Sequence, residues 1–448
     1  MSWKDFRVPD EYLGVARYAE EGSKYIISTP YKIACEMVEL LPEELFVPET
    51  KFLNIFSKSG QILLALRNRL MESEAMIKRF PNKRHRRNHI VWHQLYGLCM
   101  TERCVDSTAI MLYDTAWNNY NNIVKCEKLI SLVKEDKNKV LEFIHKNFKE
   151  YNEFLNESED TGEIMKFDVV IGNPPYNNDM YIPFVEMGHN LSQKCSVFIT
   201  PAKWQAKGGK QNEAFRKNIV PHMKEIVYYP DAGDVFNIRL QGGVCYYIVD
   251  KNTYVKKAIT SHCSRVPKFS NDKRERAISK PVFLDADICY SICDKVGCFN
   301  NSFKQFNPKW VAIKGNINIF VTAINTDGGG KTSFNVFSRD GSLTMLAPFN
   351  RSIEIFFRSN DTKCIYSAKT CEEADSFESW CGSKFVRFML LMRYCTYHNN
   401  NDYSWSFVPD PGAFDHIFTD EELYKKYNLT EEEINIIESV IKERKQNL

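Results

Sequence analysis

The stretch "FDVVIGNPPYNND", residues 167–179, decides the fold. Apart from Asp168 its first six residues are apolar or glycine, the pattern of a strand covered on both faces. It then stops on an asparagine, two prolines and a tyrosine where most loops carry Gly, Ser or Asp. Strands of this kind sit in parallel sheets flanked by helices, and the carboxyl ends of such strands are where open α/β folds bind their ligands.

Working outward, helical and extended patterns alternate up to about residue 250. In "STPYKIACEMVELLP" Ser28 and Thr29 offer an N-cap, Pro30 suits a first helical position, Ile33, Met37, Leu40 and Leu41 share a face, and Pro42 closes the helix. "KFLNIF" is a short strand, and "QILLALRNRLM" a helix beginning directly after Ser59 and Gly60. "HIVWHQLYGLCM" reads as a second strand, and "IVKCEKLISLVKEDKNKVLEFIHKNF" as helical throughout. After "FDVVIG" come a helix at "FVEMGHNLS", a strand at "CSVFIT", and two β-rich runs, "EIVYYPD" and "GGVCYYIVDK". The pattern implies a mainly parallel sheet with a hairpin near its end.

Past residue 250 Asn, Ser, Lys and Arg become frequent, and "NTDGGGKTSFN" is a loop. The expected division is therefore 1–252 and 253–448. The chain closes in helices, with capping boxes at Thr419 with Glu422 and at Thr430 with Glu433.

Bulk properties set limits. The 448 residues are 44% hydrophobic, enough for a large core. Lys and Arg number 59 against 57 Asp and Glu, so a polyanion would have to be met by local clusters of charge. The 14 cysteines are scattered, mostly in apolar runs such as "KCSVFIT". Cys289, Cys293 and Cys298 have neither a paired C-x-x-C nor a neighbouring histidine, and no metal is expected. The opening residues "MSWKDFRVPDEYLG" carry no leader pattern, and no run reaches eighteen apolar residues; a cytoplasmic chain without membrane contact is expected.

Two adjacent prolines fix φ twice and remove two backbone donors, so the Pro174 carbonyl is held rigid and Pro175 cannot bond back to it. The side-chain oxygen of Asn173 is a second acceptor beside it, and Tyr176 supplies a flat face. Two convergent acceptors suit a planar NH2 group. The exocyclic amine of adenine or cytosine is a poor nucleophile because its lone pair is delocalised. Accepting both N–H bonds draws the nitrogen toward tetrahedral geometry and frees that pair for an in-line electrophile such as the sulfonium methyl of S-adenosyl-L-methionine. A plain turn is the bland alternative, but average residue frequencies give this tetrapeptide in only about one in a thousand chains of this length.

On these motifs and their order the sequence resembles the S-adenosylmethionine-dependent adenine-specific DNA methyltransferases of bacterial restriction-modification systems, with the γ-class arrangement. "STPYKIACEMVELLP", "FLNIFSKSGQILLAL", "FDVVIGNPPY" and a C-terminal module follow in the family's sequence, and the resemblance covers residues 25 to 250. It implies an α/β, Rossmann-like seven-stranded methyltransferase sheet with an appended C-terminal target recognition domain. It implies S-adenosyl-L-methionine as cofactor, double-stranded DNA as substrate, flipping of the target base, and a restriction endonuclease as partner. Carried over, Thr29 would touch the methionine part of the cofactor, and Ser57, Lys58, Ser59 and Gly60 would cradle it by their backbone. Asn173, Pro174, Pro175 and Tyr176 would hold the base, with Phe236 of "GDVFNIRLQGGV" facing Tyr176 across it.

Two positions depart from the family. The strand before the cofactor loop commonly carries an acid where this chain has Asn54, and the next strand commonly ends in a ribose-binding acid where this chain has Cys99. Glu102 could replace the latter or be a solvated residue of the following helix. For DNA, the basic run "KRFPNKRHRRNHI" reads either as a phosphate contact or as a solvated loop, as does "KFSNDKRERAISK"; Lys203 and Trp204 read as strand contacts or as core. Two other functions keep part of this pattern: methylation of RNA or of a protein amide, and a DNA-binding or specificity subunit with a weakened cofactor site.

Overall fold

The computed structural model describes residues 2–8, 14, 16–17, 19–20, 27–113, 122–148, 150–152, 157–159, 165–205, 209–229, 232–236, 240, 243–263, 271–277, 287–321, 349–353, 363–393 and 405–443. The loop expected at 325–335 and both flanks of the basic segment 268–280 lie outside these residues.

One sheet organises the chain. Its strands are β1 (Phe52–Ser57), β2 (Leu95–Cys99), β3 (Ile123–Lys125), β4 (Phe167–Gly172), β5 (Ser192–Pro201), β6 (Met223–Tyr229), β7 (Val244–Asp250), β8 (Lys257–His262) and β9 (Asn271–Ala277). They lie in the order β9-β8-β6-β7-β5-β4-β1-β2-β3. The pairs β1 with β2, β1 with β4, β2 with β3, and β4 with β5 are parallel. β7 runs antiparallel to both β5 and β6, forming the hairpin that "EIVYYPD" and "GGVCYYIVDK" imply. The first seven strands are the expected Rossmann-like sheet. β8, parallel to β6, and β9, antiparallel to β8, extend it to nine.

The sheet's central strands are buried along their whole length, which is why their sequences are continuous apolar runs rather than alternations. Helices α1 (Tyr31–Glu39), α2 (Gln61–Met71), α3 (Glu74–Arg79), α4 (Lys83–His89) and α5 (Glu102–Tyr113) precede β3, followed by α6 (Leu129–Glu135), α7 (Lys137–Asn147), α8 (Tyr181–Leu191) and α9 (Lys210–Asn218). Two carboxyl ends of the sheet matter most, those of β1 and β4, whose register places Asn54 beside Ile171.

Three local expectations are corrected. "HIVWHQLYGLCM" is extended only from Leu95; Ile90–Gln94 form a π-helical turn whose Gln94 donates to the Val47 and Thr50 carbonyls, a tertiary demand that period-reading misses. "IVK" is not helical but the edge strand β3, too short to show a period. Pro30 is itself the N-cap of α1, with no side-chain cap, because the Thr29 hydroxyl is engaged elsewhere.

C-terminal to the sheet, β10 (Ile317–Val321) pairs antiparallel with β11 (Asn350–Ser352) and β12 (Lys363–Ala368). Helices α10 (Asp287–Val296), α11 (Cys371–Gly382), α12 (Lys384–Leu391), α13 (Asp420–Lys426) and α14 (Glu431–Val440) pack with them. One apolar cluster runs from β5 and α8 through α10 into α12 and α14, so this segment shares a core with one face of the sheet. The Thr430 box forms in full, whereas at Thr419 only the hydroxyl half forms. Asp420 reaches across instead and accepts the N–H groups of Lys384 and Phe385 at 3.0 and 2.9 Å, capping α12 from another helix. Cys289 and Cys293 pack inside α10. Among the described residues no helix is long and apolar enough to cross a membrane, and no His, Cys, Asp and Glu gather into a metal-binding group.

α8 packs tightly on the sheet at Gly188, where an added Cβ would lie 2.3 Å from the Phe198 ring of β5 and 3.1 Å from Val170. Gly188→Ala should cost about 1–3 kcal/mol by overpacking, read as a lower urea midpoint, and Phe198→Leu in the same chain should restore part of it.

Candidate active site at the carboxyl ends of two adjacent strands

β1 ends at Ser57 and turns through Lys58, Ser59 and Gly60 into α2. Gly60 makes the turn: its φ is +85°, and a Cβ there would stand 2.7 Å from the Thr108 Cα of α5. Ser57 Oγ shares a hydrogen bond of 3.0 Å with Thr108 Oγ1, which ties the turn to α5. α2 has no side-chain N-cap, so the dipole of its first turn faces the loop uncompensated. Thr29, Asn54, Phe56, Lys58, Ser59, Gly60, Gln61, Ile62 and Asn173 line a small pocket at this point.

Asn173, the first residue beyond β4, forms the other wall and is 2% exposed. Its Nδ2 donates to Thr29 Oγ1 at 3.1 Å and to the Ile27 carbonyl at 3.3 Å. A carbonyl only accepts, so Ile27 fixes which way the amide faces. Asn173 Oδ1, on the opposite side, is buried and has no hydrogen-bond partner among the described residues. Pro174 and Pro175 are buried behind it.

Tyr176 and Phe236 are brought together, with ring centroids 6.3 Å apart and planes at 73°. They touch edge to face. Tyr176 is tethered through its hydroxyl, which donates to the Ile199 carbonyl at 3.3 Å, and burial pushes its pKa well above the ordinary phenol range. Beyond it the chain makes a tight reversal, with Asn178 and Asp179 both at positive φ (54° and 57°), and Lys203 Nζ pairs with Asp179 at 2.8 Å. Trp204 is a core residue, against Phe215 and Tyr247.

Among the described residues lining the pocket, Lys58 is the only one with a charged side chain. It is 6% exposed, its Nζ donates to the Ile27 carbonyl at 2.9 Å, and desolvation pulls its pKa down to about 7, against the opposing pull of Glu20. Asn54 Oδ1 accepts the Phe56 N–H at 3.3 Å. Cys99 is fully buried beside Ser57, its Sγ 3.8 Å from Thr108 Oγ1; it is not among the residues lining the pocket, and burial raises its pKa above the usual thiol range. Glu102 opens α5 on the surface and pairs with Lys125 at 3.4 Å.

Residues 93–178 and 176–236 match the Eco57I restriction-modification methylase family. Together these spans hold Asn173 to Tyr176 and Phe236. Over this third of its length the chain is similar to the restriction-modification methylases. It is 26% identical over 310 residues to an "Uncharacterized adenine-specific methylase" of Mycoplasma pneumoniae, covering 54% of this chain and 71% of that one. Among solved structures it is similar to a nuclease-deletion mutant of the Type ISP restriction-modification enzyme LlaGI in complex with a DNA substrate mimic (TM-score 0.44, 10% identity, 71% of this chain and 36% of that chain). It is also similar to the type I restriction-modification methyltransferase subunit from Streptococcus thermophilus (TM-score 0.37, 12% identity, 60% and 53%). The EcoKI M protein matches with a TM-score of 0.38 and 12% identity, over 55% of this chain and 50% of that one. The chain thus spans about a third to a half of the length of these solved chains.

Two basic residues of the run at 78–87 turn inward in the fold. Arg86 is buried on the Phe80 and Pro81 carbonyls, and Arg87 donates to the Leu112 carbonyl at the end of α5. Lys78, Arg79, Lys83 and Arg84 are exposed, but α4 leads into the amino end of β2, the sheet edge opposite the pocket. Sequence reading missed the Ile27 carbonyl, because a backbone acceptor carries no residue signature. It missed Phe56, Gln61 and Ile62 because they read simply as strand and helix.

Gly60→Ala should destabilise the fold by about 2 kcal/mol or more, from left-handed backbone strain plus the contact with Thr108. Gly209→Ala, at φ +100° with open space around it, should lose only the backbone part; equal urea midpoints for the two variants would contradict the close approach at Gly60.

Proposed function

We propose that the chain transfers a methyl group from S-adenosyl-L-methionine to the N6 amine of an adenine turned out of duplex DNA. The observation that carries the reading is Asn173 Oδ1, a buried acceptor with no partner among the described residues, on an amide whose other end is pinned by Thr29 and Ile27. An unpaired buried oxygen costs on the order of 1–3 kcal/mol unless a ligand supplies the donor. An exocyclic amine does so, with the Pro174 carbonyl as its second acceptor.

Each N–H accepted in this way pulls electron density onto the amine nitrogen and lets its lone pair leave conjugation. When bound, the cofactor supplies an electrophilic methyl carbon whose departing sulfur keeps the electron pair. The chain positions the nitrogen, withholds water and lets the surplus proton go to solvent. The pocket fits the cofactor chemically: Gly60 lets backbone approach it, the first turn of α2 favours a carboxylate, and Asn54 and Gln61 offer neutral hydrogen-bonding groups.

Tyr176 supplies the stacking face and Phe236 the opposite one. Their edge-to-face contact leaves no slot for a ring between them, since a base held by two parallel faces needs about 7 Å. Tyr176 is anchored by its hydroxyl, so Phe236 is the ring that gives way as the base enters. The reading includes double-stranded DNA held by the segment after residue 252, a companion restriction endonuclease, and a cytoplasmic setting. The adenine specificity in the name of the Mycoplasma relative supports adenine over cytosine.

Asn173→Ala should reduce methyl transfer by about 100-fold or more with duplex binding within about threefold of wild type, because only a reacting-centre acceptor is lost. Thr29→Val should fall between the two, since it loosens the amide without removing it. Turnover of Asn173→Ala within a few-fold of wild type would sink the assignment.

A further inference from the structure

Lys58 occupies a position in the pocket that backbone cradling leaves unexplained. A loop that held its ligand by N–H groups alone would have no use for a long cationic side chain pointing inward. Yet Lys58 is 6% exposed and lines the pocket with eight residues that carry no charge. Its Nζ donates to the Ile27 carbonyl at 2.9 Å, and that carbonyl also accepts from Asn173 Nδ2 at 3.3 Å. The ammonium therefore rests on a neutral acceptor within the wall that orients the catalytic amide. The uncapped first turn of α2 begins three residues later, so the field of the helix also favours an anion here.

We propose that Lys58 is the carboxylate-recognition residue of the pocket: its ammonium, which donates to the Ile27 carbonyl in this structure, transfers to the carboxylate of the bound amino-acid moiety. This rests on S-adenosylmethionine being the ligand. The move exchanges a neutral acceptor for an anionic one, and the bond is stronger for it. It also frees one lone-pair direction of Ile27 for Asn173 Nδ2, so cofactor binding tightens the amide that holds the base.

The charge state follows from the same geometry. Burial lowers the pKa of Lys58 to about 7, Glu20 and Cys104 being the acidic groups that oppose this. At pH 8 roughly nine in ten sites are then neutral, and an arriving carboxylate returns the group to its charged form. Binding takes up a proton at pH 8 and almost none at pH 6. Affinity accordingly rises as pH falls from 9 toward 7 and levels off below.

Calorimetry of the full chain with S-adenosylmethionine and with decarboxylated S-adenosylmethionine tests this, run at pH 6 and pH 8 in buffers of different ionisation enthalpy. The amine of either ligand titrates in the same range and cancels in the comparison between wild type and variants. Wild type should favour the carboxylated ligand by at least about tenfold and take up close to one extra proton at pH 8. Lys58→Met should lose the preference and the extra proton while still binding the decarboxylated ligand. Lys58→Arg, charged at every pH used, should keep the preference and lose the proton uptake, an outcome that a merely structural lysine would not give. A preference unchanged in Lys58→Met, or proton uptake unchanged in Lys58→Arg, overturns the role of the lysine alone. If wild type binds neither ligand, the functional reading falls and this inference falls with it.

Discussion

The site depends on one bridged amide. Asn173 lies at the end of β4, and the groups that hold its Nδ2, Ile27 and Thr29, come from the segment before α1, more than 140 residues earlier. Because one of those groups is a carbonyl, the amide can face only one way, and its oxygen is left without a partner among the described residues. That arrangement costs stability. It is held because β4 lies between β1 and β5 in the middle of a buried sheet and cannot drift to relieve it.

The rest of the architecture serves the same wall. β1 lies against β4, so the loop after β1 opens beside Asn173, and Gly60 keeps that loop tight against α5. Lys58 reaches from the loop to the same Ile27 carbonyl that orients the amide. The loop after β1 and the loop after β4 thus meet on one backbone oxygen. On the far side, the Asp179–Lys203 pair fixes the reversal after Tyr176 to the end of β5, setting the angle at which the tyrosine ring enters the site.

Much of this was legible in the sequence where long apolar runs or rigid residues carry the signal. "FDVVIG" and "FLNIF" read as buried strands because every position but the half-buried Asp168 is covered, and the proline pair marks a fixed loop by its chemistry. β3 escaped because three residues show no period, and the π-turn before β2 because Gln94 serves the neighbouring loop rather than its own segment. Cys99 was read as a ligand-facing strand end, but its thiol turns toward Thr108. Thr29 was read both as a cap and as a ligand contact; in the fold its hydroxyl serves Asn173. Such pairings over long sequence separations have no local pattern to betray them, which is why the lone oxygen of Asn173 could be found only in three dimensions.

The central claim is that this oxygen awaits the amine of an adenine. The purified chain, incubated with methyl-labelled S-adenosylmethionine and mixed-sequence duplex DNA that is then digested to nucleosides, tests it most directly. Label recovered in N6-methyldeoxyadenosine is the predicted result. Label in N4-methyldeoxycytidine instead, or ligand binding with no transfer to DNA of any sequence, would contradict it.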